Sequence, residues 1–364
     1  AHLHVMSQAE RLRASAVHLT VIDPGTFWYS GLATGVLAGQ HPPAADQVDP
    51  EPLARRHGVT FHRARLAAID RDAKRATLDD GTELDYDALS LNLGSVVQHA
   101  HIAGAAEYAV PVKPIANLWA VRQRAEALWA HRPEAPLRAV VVGGGATGSE
   151  TAACLTGLAR RHGAPADVHL LARGPRLMPA GAAGAADSLA RALTERGVQI
   201  HYNTAAQEVG PDYVRTKDGA TLPADVTITA TGLVPPPLMR DLGLPVDEAG
   251  GLRVGGTLQS IDDRSVFAVG DCAQLEGHDL PKLGVYGVRQ APVLAGNLVA
   301  LAAGAPLETY TPQRLALMIL NLGDGEALAL RGNRWWRGRS SQWLKERLDQ
   351  PFVRKYQVGG APPA

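Results

Sequence analysis

Apolar residues along this chain follow two periods. Short runs rich in β-branched residues, bounded by glycine, aspartate or proline, predict strands; apolar positions three and four apart predict helices between them. Arg138 to Val142 predicts a buried strand, Ser149 to Leu158 a helix, and Val168 to Leu171 a second strand that ends at Ala172 and Arg173. The first strand passes directly into Gly143-Gly-Gly-Ala-Thr-Gly148. Strand, Gly-x-Gly-x-x-Gly, helix, strand is the context in which such a motif signals a dinucleotide site. Glycine permits the tight turn, lets backbone approach a pyrophosphate and lets helix pack on strand. The helix start then offers free N–H groups to the phosphates.

On either side of this unit the pattern is also α/β. Ala1 to Arg13 predicts a helix and Val17 to Ile22 a strand ending in Asp23. This pair reads as the back half of another dinucleotide-binding unit, with Asp23 placed for a ribose hydroxyl or, equally, as a turn former before Pro24-Gly25. The chain opens where that helix should already have begun, so the preceding strand and Gly-rich turn are not in it. Pro42 to Pro52 predicts a proline-rich loop, and Thr77 to Tyr86 a hairpin through Asp80-Gly81. A buried strand over Ala88 to Leu93 ends at Gly94. Helices are expected over 114–131, 182–197 and 286–303, and strands over Val198 to Tyr202 and Asp225 to Thr231. Ser265 to Val269 predicts a strand that delivers Gly270 and Asp271 to the carboxyl end of a sheet, where cofactors dock. A strand pair, Leu315–Leu322 and Ala327–Arg331, is expected to turn at Gly323-Asp-Gly325.

Composition narrows the chemistry. The 364 residues carry 36 basic and 36 acidic side chains, a balance that does not point to nucleic acid. The two cysteines, Cys154 and Cys272, are far apart, which argues against a disulfide scaffold, a zinc ribbon or an adjacent redox dithiol. Both read best as buried small hydrophobes. The 13 histidines show no metal-ligand spacing, so no metal is expected. No run reaches transmembrane length and no signal peptide is visible, so a cytoplasmic protein is expected.

Several segments together carry a resemblance: Trp28-Tyr-Ser-Gly31, Leu89 to Ser95, Val112-Lys-Pro114, Phe267 to Ala273, Pro281 to Gln290 and the tail Trp343 to Phe352. With the central motif they resemble the pyridine nucleotide–disulfide oxidoreductase superfamily of two-dinucleotide-domain flavoproteins. The likeness is to its type II NADH dehydrogenase and sulfide:quinone reductase branch, and within it to a subgroup associated with selenide water dikinase. The resemblance implies two Rossmann-like domains, the second inserted in the first. Residues 1–112 and 252–305 would bind FAD, 113–251 would bind NAD(P)H, and 306–364 would form a C-terminal segment. It implies that Asp23 takes the FAD ribose, Asp271 beside Gly270 takes the ribityl chain, and Gly94 lies where the chain approaches the flavin nucleotide. Gly143, Gly145 and Gly148 would hold the NAD(P)H pyrophosphate with Glu150 beside the nicotinamide, and Lys282 and Tyr286 would lie near the isoalloxazine. Hydride would pass from NAD(P)H to flavin and electrons on to a quinone or another small acceptor. A non-catalytic nucleotide-binding or scaffold protein that has lost FAD, and a redox partner in selenium metabolism, are the alternatives.

Two departures bear on specificity. Ala172-Arg173, with Arg176 nearby, replaces the acidic residue expected for NADH and favours a 2′-phosphate, although solvated arginines would read the same way. Val285 stands where the type II dehydrogenase quinone motif has glutamine. The tail from Arg334 to Tyr356 interleaves Trp335, Trp336, Trp343 and Phe352 with basic residues. It fits an interfacial helix on the anionic inner face of a membrane, a helix docked on the core or on the partner in a homodimer, or, as the least favoured reading, a single-stranded nucleic-acid contact by stacking and charge.

Overall fold

The computed structural model describes residues 1–359. At its centre Leu137–Val142 lies in a five-stranded parallel sheet, in the order Ala109–Pro111, Val226–Thr229, Leu137–Val142, Ala166–Leu171, Val198–His201. The strand is buried along nearly its whole length, as a parallel strand covered on both faces must be. Ala139 and Val141 face the helices Ala116–His131, Ala146–His162 and Ala183–Glu195. Val140 and Val142 face the opposite way, onto an antiparallel sheet of Ala206–Val209, Tyr213–Thr216 and Thr221–Pro223.

A second unit gathers around two parallel pairs. Thr20–Ile22 pairs with Thr60–His62, and Leu89–Leu91 with Val266–Ala268. The helix Gly284–Ala302 and the amino-terminal helices pack together on the buried Val266, Phe267 and Ala268. A short ladder of Val96–Val97 with Leu233–Val234 ties this unit to the five-stranded sheet. A three-stranded antiparallel sheet, Met318–Asn321, Ala327–Arg331 and Arg334–Gly338, leads into the tail helix Arg339–Arg354.

The structure corrects three local expectations. Pro42 to Pro52 is not a plain loop: it contains the 3₁₀ turn Pro43–Asp46, the strand Gln47–Val48 and the start of the helix Pro50–Arg56. Asp49 caps that helix by accepting from the Glu51 amide at 3.0 Å. Pro50 and Pro52 are tolerated because first-turn N–H groups need no intrahelical partner. The amino-terminal helix is two helices, His2–Ser7 and Ala9–Arg13, broken at Gln8. In the tail, Arg334–Gly338 is a third strand that pairs back on Ala327–Arg331, so the helix starts only at Arg339. Gly332 in left-handed conformation makes that hairpin turn.

Candidate functional site

At the carboxyl end of Leu137–Val142 the fingerprint glycines do three different jobs. Gly143 sits at φ +134°, and a Cβ there would stand 2.3 Å from the Ala230 carbonyl oxygen. A Cβ on Gly148 would fall 1.9 Å from the Gly143 carbonyl oxygen, so neither position can carry a side chain. Gly145 is the opposite case, because a Cβ there would meet no atom within 4 Å. It precedes the 17-residue helix Ala146–His162, whose start has no side-chain cap. Free amide donors behind open space are what a pyrophosphate needs, so the residues fit a dinucleotide. Gly144 adds a fourth constraint that the motif does not express, since its Cβ would lie 2.5 Å from that of Ala172. Across the crevice Gly232, at φ +119°, also has open space where a Cβ would be.

The two arginines after the second strand behave differently. Arg176 donates to the carbonyls of Pro179 and Gly181 and so holds its own loop. Arg173 is exposed and bonds to nothing among the described residues.

A second pocket forms where Leu89–Leu91 and Val266–Ala268 end side by side. Gly270, Asp271, Lys282, Tyr286 and Gln290 line it together. Asp271 is buried, and its Oδ2 accepts from Ser95 Oγ at 2.6 Å and from Lys113 Nζ at 2.9 Å. No described residue bonds its Oδ1, which leaves that oxygen to accept from a ligand hydroxyl. Gly270 adopts φ +73°, its amide donates to Gln290 Oε1 at 2.7 Å, and Asn92 Nδ2 donates to the Val269 carbonyl at 2.9 Å. Gly94, at φ +71°, also has open space where a Cβ would be. A carboxylate held on one oxygen, with the open Gly94 nearby and Gly270 packed close to the Asn92 side chain, fits the polyhydroxyl chain of FAD. Lys282 donates to the Ala273 carbonyl at 3.2 Å, and Tyr286 is buried on the first turns of Gly284–Ala302. Ser95, Lys113 and Gln290 lay inside the segments singled out in the sequence, but nothing there assigned them these partners.

Glu150 lies apart from that pocket. Its Oε1 accepts from Thr34 Oγ1 at 2.9 Å and from the Asn321 amide at 2.8 Å. The group therefore sits where the fingerprint helix, the helix Ser30–Leu37 and the C-terminal sheet meet. Burial pushes its pKa up, against the opposing charge of Lys345. The buried Lys345 donates to the Gly31 carbonyl at 2.6 Å and to Asp349 at 2.9 Å, and Tyr29 donates to Asp349 at 3.0 Å. Beneath them Asp46 is fully buried with no partner on either carboxylate oxygen. Burial pushes it up to about 8. Asp23 ends its strand as expected, and its Oδ1 closes a turn by accepting from the Gly25 amide at 2.9 Å. No bond joins it to the Asp271 pocket.

Both cysteines are buried and unbridged. Burial raises the Cys272 thiol to about 11 and that of Cys154 well above its ordinary value. Neither is a thiolate near neutral pH, which fits small hydrophobic packing rather than thiol chemistry. No group of three or more His, Cys, Asp or Glu placed to hold a metal occurs among the described residues.

Residues 6–292 match the pyridine nucleotide-disulphide oxidoreductase family. The chain belongs to that family. It is 27% identical over 289 residues to a demethylphylloquinone reductase of Synechocystis, covering 76% of this chain and 70% of that one. It is similar in fold to a sulfide:quinone oxidoreductase of Aquifex aeolicus, with a TM-score of 0.81 at 18% identity, over 99% of this chain and 90% of the other. An engineered water-forming NADPH oxidase bound to NADPH gives a TM-score of 0.74 at 20% identity, over 90% of this chain and 72% of that one. The expected α/β fold with two Rossmann-like units is borne out, and so is an oxidoreductase that uses FAD and NAD(P)H.

Proposed function

We propose that this protein oxidises NADPH and reduces a quinone at a membrane surface. The observation that carries the reading is the pair of open cradles at the carboxyl ends of two parallel-strand units. One is the uncapped helix start behind Gly145; the other is the Asp271 carboxylate with one oxygen held by Ser95 and Lys113. In this reading residues 113–251 form the nucleotide unit between FAD-binding segments 1–112 and 252–305.

Bound FAD would supply hydride acceptance and electron release. The chain supplies the rest. Gly143, Gly145 and Gly148 bring backbone amides to the NADPH pyrophosphate, and Asp271 orients the ribityl hydroxyls through Oδ1. Lys282 and Tyr286 close the side of the Asp271 pocket beneath Gly284–Ala302 and keep water from it. Quinone reduction by NADPH consumes one proton from solvent: NADPH, H⁺ and quinone yield NADP⁺ and quinol. Glu150 is suited to hold that proton, because burial raises its pKa. Its Oε1 accepts two donors, which leaves Oε2 to carry the proton.

Arg173 and the small Ala172 support NADPH over NADH, since an exposed free guanidinium pairs with a 2′-phosphate. The engineered NADPH oxidase has, among its substitutions, aspartate to alanine followed at the next position by alanine to arginine. Quinone as acceptor is supported by the demethylphylloquinone named in the Synechocystis relative. No helix among the described residues is long and apolar enough to cross a membrane. The outer face of the tail helix supports peripheral contact instead: Trp343 is 62% exposed and Leu348 50% exposed, with the Arg347 guanidinium 5.4 Å over the Trp343 ring. Aromatic and basic residues on one exposed face suit an anionic bilayer.

Anaerobic visible spectra test the core of this reading. A flavin spectrum that NADPH bleaches faster than NADH is the expected result. A protein that takes up no flavin when incubated with FAD would overturn the reading and leave a nucleotide-binding protein without redox activity. Faster bleaching by NADH would overturn the choice of NADPH.

A further inference from the structure

Lys113, in the segment Val112-Lys113-Pro114, holds Asp271 from a backbone that belongs to the nucleotide sheet. Lys113 lies two residues beyond the strand Ala109–Pro111, the edge of the five-stranded nucleotide sheet. The Val112 amide donates to the Thr229 carbonyl at 3.0 Å, which pins the backbone to the strand that leads into Ala230 and Gly232. From that anchor the Lys113 ammonium reaches the other unit, where it donates to Asp271 Oδ2 at 2.9 Å and to Ser95 Oγ at 2.8 Å. Lys113 is the cation paired with Asp271 among the described residues.

Ser95, the other donor to Asp271, is anchored in a parallel way. It precedes Val96–Val97, which pairs with Leu233–Val234, and the Gln98 amide donates to the Gly232 carbonyl at 3.0 Å. Both donors to the FAD-pocket carboxylate therefore hang from segments bonded to residues 229–234. That same stretch adjoins the glycine fingerprint, because the Ala230 carbonyl packs against Gly143, and Gly232 has open space where a Cβ would be.

We propose that Lys113 is a positioning residue that couples the two cofactor sites. Through Asp271 Oδ2 it orients the carboxylate for the FAD ribityl chain, and it does so from backbone that the bound pyridine nucleotide touches. The inference rests on the FAD and NADPH assignments above. Its consequence is reciprocal: NADP⁺ binding changes FAD affinity, and FAD changes NADP⁺ affinity by the same factor. Coupling between sites of this kind is commonly about 5-fold or more.

The test is the FAD dissociation constant of the purified protein, read by flavin fluorescence, with and without saturating NADP⁺. Wild type is expected to show a difference of about 5-fold or more. In Lys113→Met, FAD should bind at least about tenfold more weakly and the NADP⁺ effect should vanish, while NADP⁺ affinity of the flavin-free protein stays unchanged. Lys113→Arg, which restores a cation to Asp271, should recover part of the coupling. Ser95→Ala serves as a second variant that weakens the same clamp without removing the charge. If NADP⁺ shifts FAD affinity equally in wild type and Lys113→Met, the coupling role is overturned. If wild type binds no FAD, the parent assignment fails instead, so the two failures are told apart.

Discussion

Two side chains show how much a single residue's surroundings decide. Asp46 is sealed with neither carboxylate oxygen bonded, and burial raises its pKa to about 8. A carboxyl whose pKa is raised on folding gives its full stability contribution below the unfolded value near 4 and loses it as pH rises toward 8. Wild-type stability should therefore fall by up to about 1.4 kcal/mol per pH unit across that window from this group alone. Asp46→Asn keeps the shape and removes the charge, so its melting temperature should change less than that of wild type between pH 5 and pH 8. Equal pH dependence of the two melting curves would show that Asp46 is not the cause. Arg173 is the contrasting case, an exposed guanidinium without a partner among the described residues. Arg173→Ala should raise KM for NADPH about tenfold, equivalent to about 1.4 kcal/mol, and leave KM for NADH within a factor of about two. Steady-state kinetics with both nucleotides checks it. Residue order places Arg173 and Arg176 in the same segment but does not separate them; the fold does, because Arg176 is occupied by the Pro179 and Gly181 carbonyls.

At the scale of elements, the fingerprint helix is held by the absence of side chains. A Cβ on Gly157 would lie 2.3 Å from the Gly323 carbonyl oxygen, so the turn of the C-terminal hairpin rests directly on helix backbone. Gly157→Ala should destabilise the protein by about 1–3 kcal/mol, the cost of overpacking a close contact. The gain in helix propensity, about 1 kcal/mol at most, offsets only part of that cost. Urea unfolding measures the balance, and an unchanged midpoint would refute the close approach. The sequence marks Gly157 as one small residue among several in an apolar helix, and only the docked hairpin makes it necessary. The proline-rich stretch teaches the same lesson from the other side. Proline count suggested a loop over 42–52, yet capping by Asp49 lets prolines occupy a first helical turn.

For the whole molecule, the tail helix Arg339–Arg354 acts on two sides. Its inner side is fixed by Lys345, which joins Gly31 and Asp349, and by Glu346, which stands 3.0 Å from His41. Its outer side presents Trp343 and Leu348 among arginines. Trp343→Glu should reduce co-sedimentation with vesicles of anionic lipid by about tenfold, as expected from loss of apolar insertion and gain of repulsion. Activity with a water-soluble quinone should be unchanged. Vesicle binding that the substitution does not alter, or a concentration-dependent dimer that it abolishes, would assign this face to another role.

What the sequence determined by itself is whatever depends on neighbours close in the chain. The glycine fingerprint is of this kind, since Gly148 packs on a carbonyl only five residues earlier. So are the strand that delivers Gly270 and Asp271 and the aromatic-basic composition of the tail. What only the tertiary structure decided is how those groups are partnered. Asp271 takes its donors from 176 and 158 residues away, and Glu150 takes its donors from 116 and 171 residues away. Local pattern fixes which backbone turns and which faces are apolar. Hydrogen-bond partners and burial arise only when distant segments pack, so the charge state of Glu150 and Asp46 and the clamp on Asp271 lie beyond any reading of residue order alone.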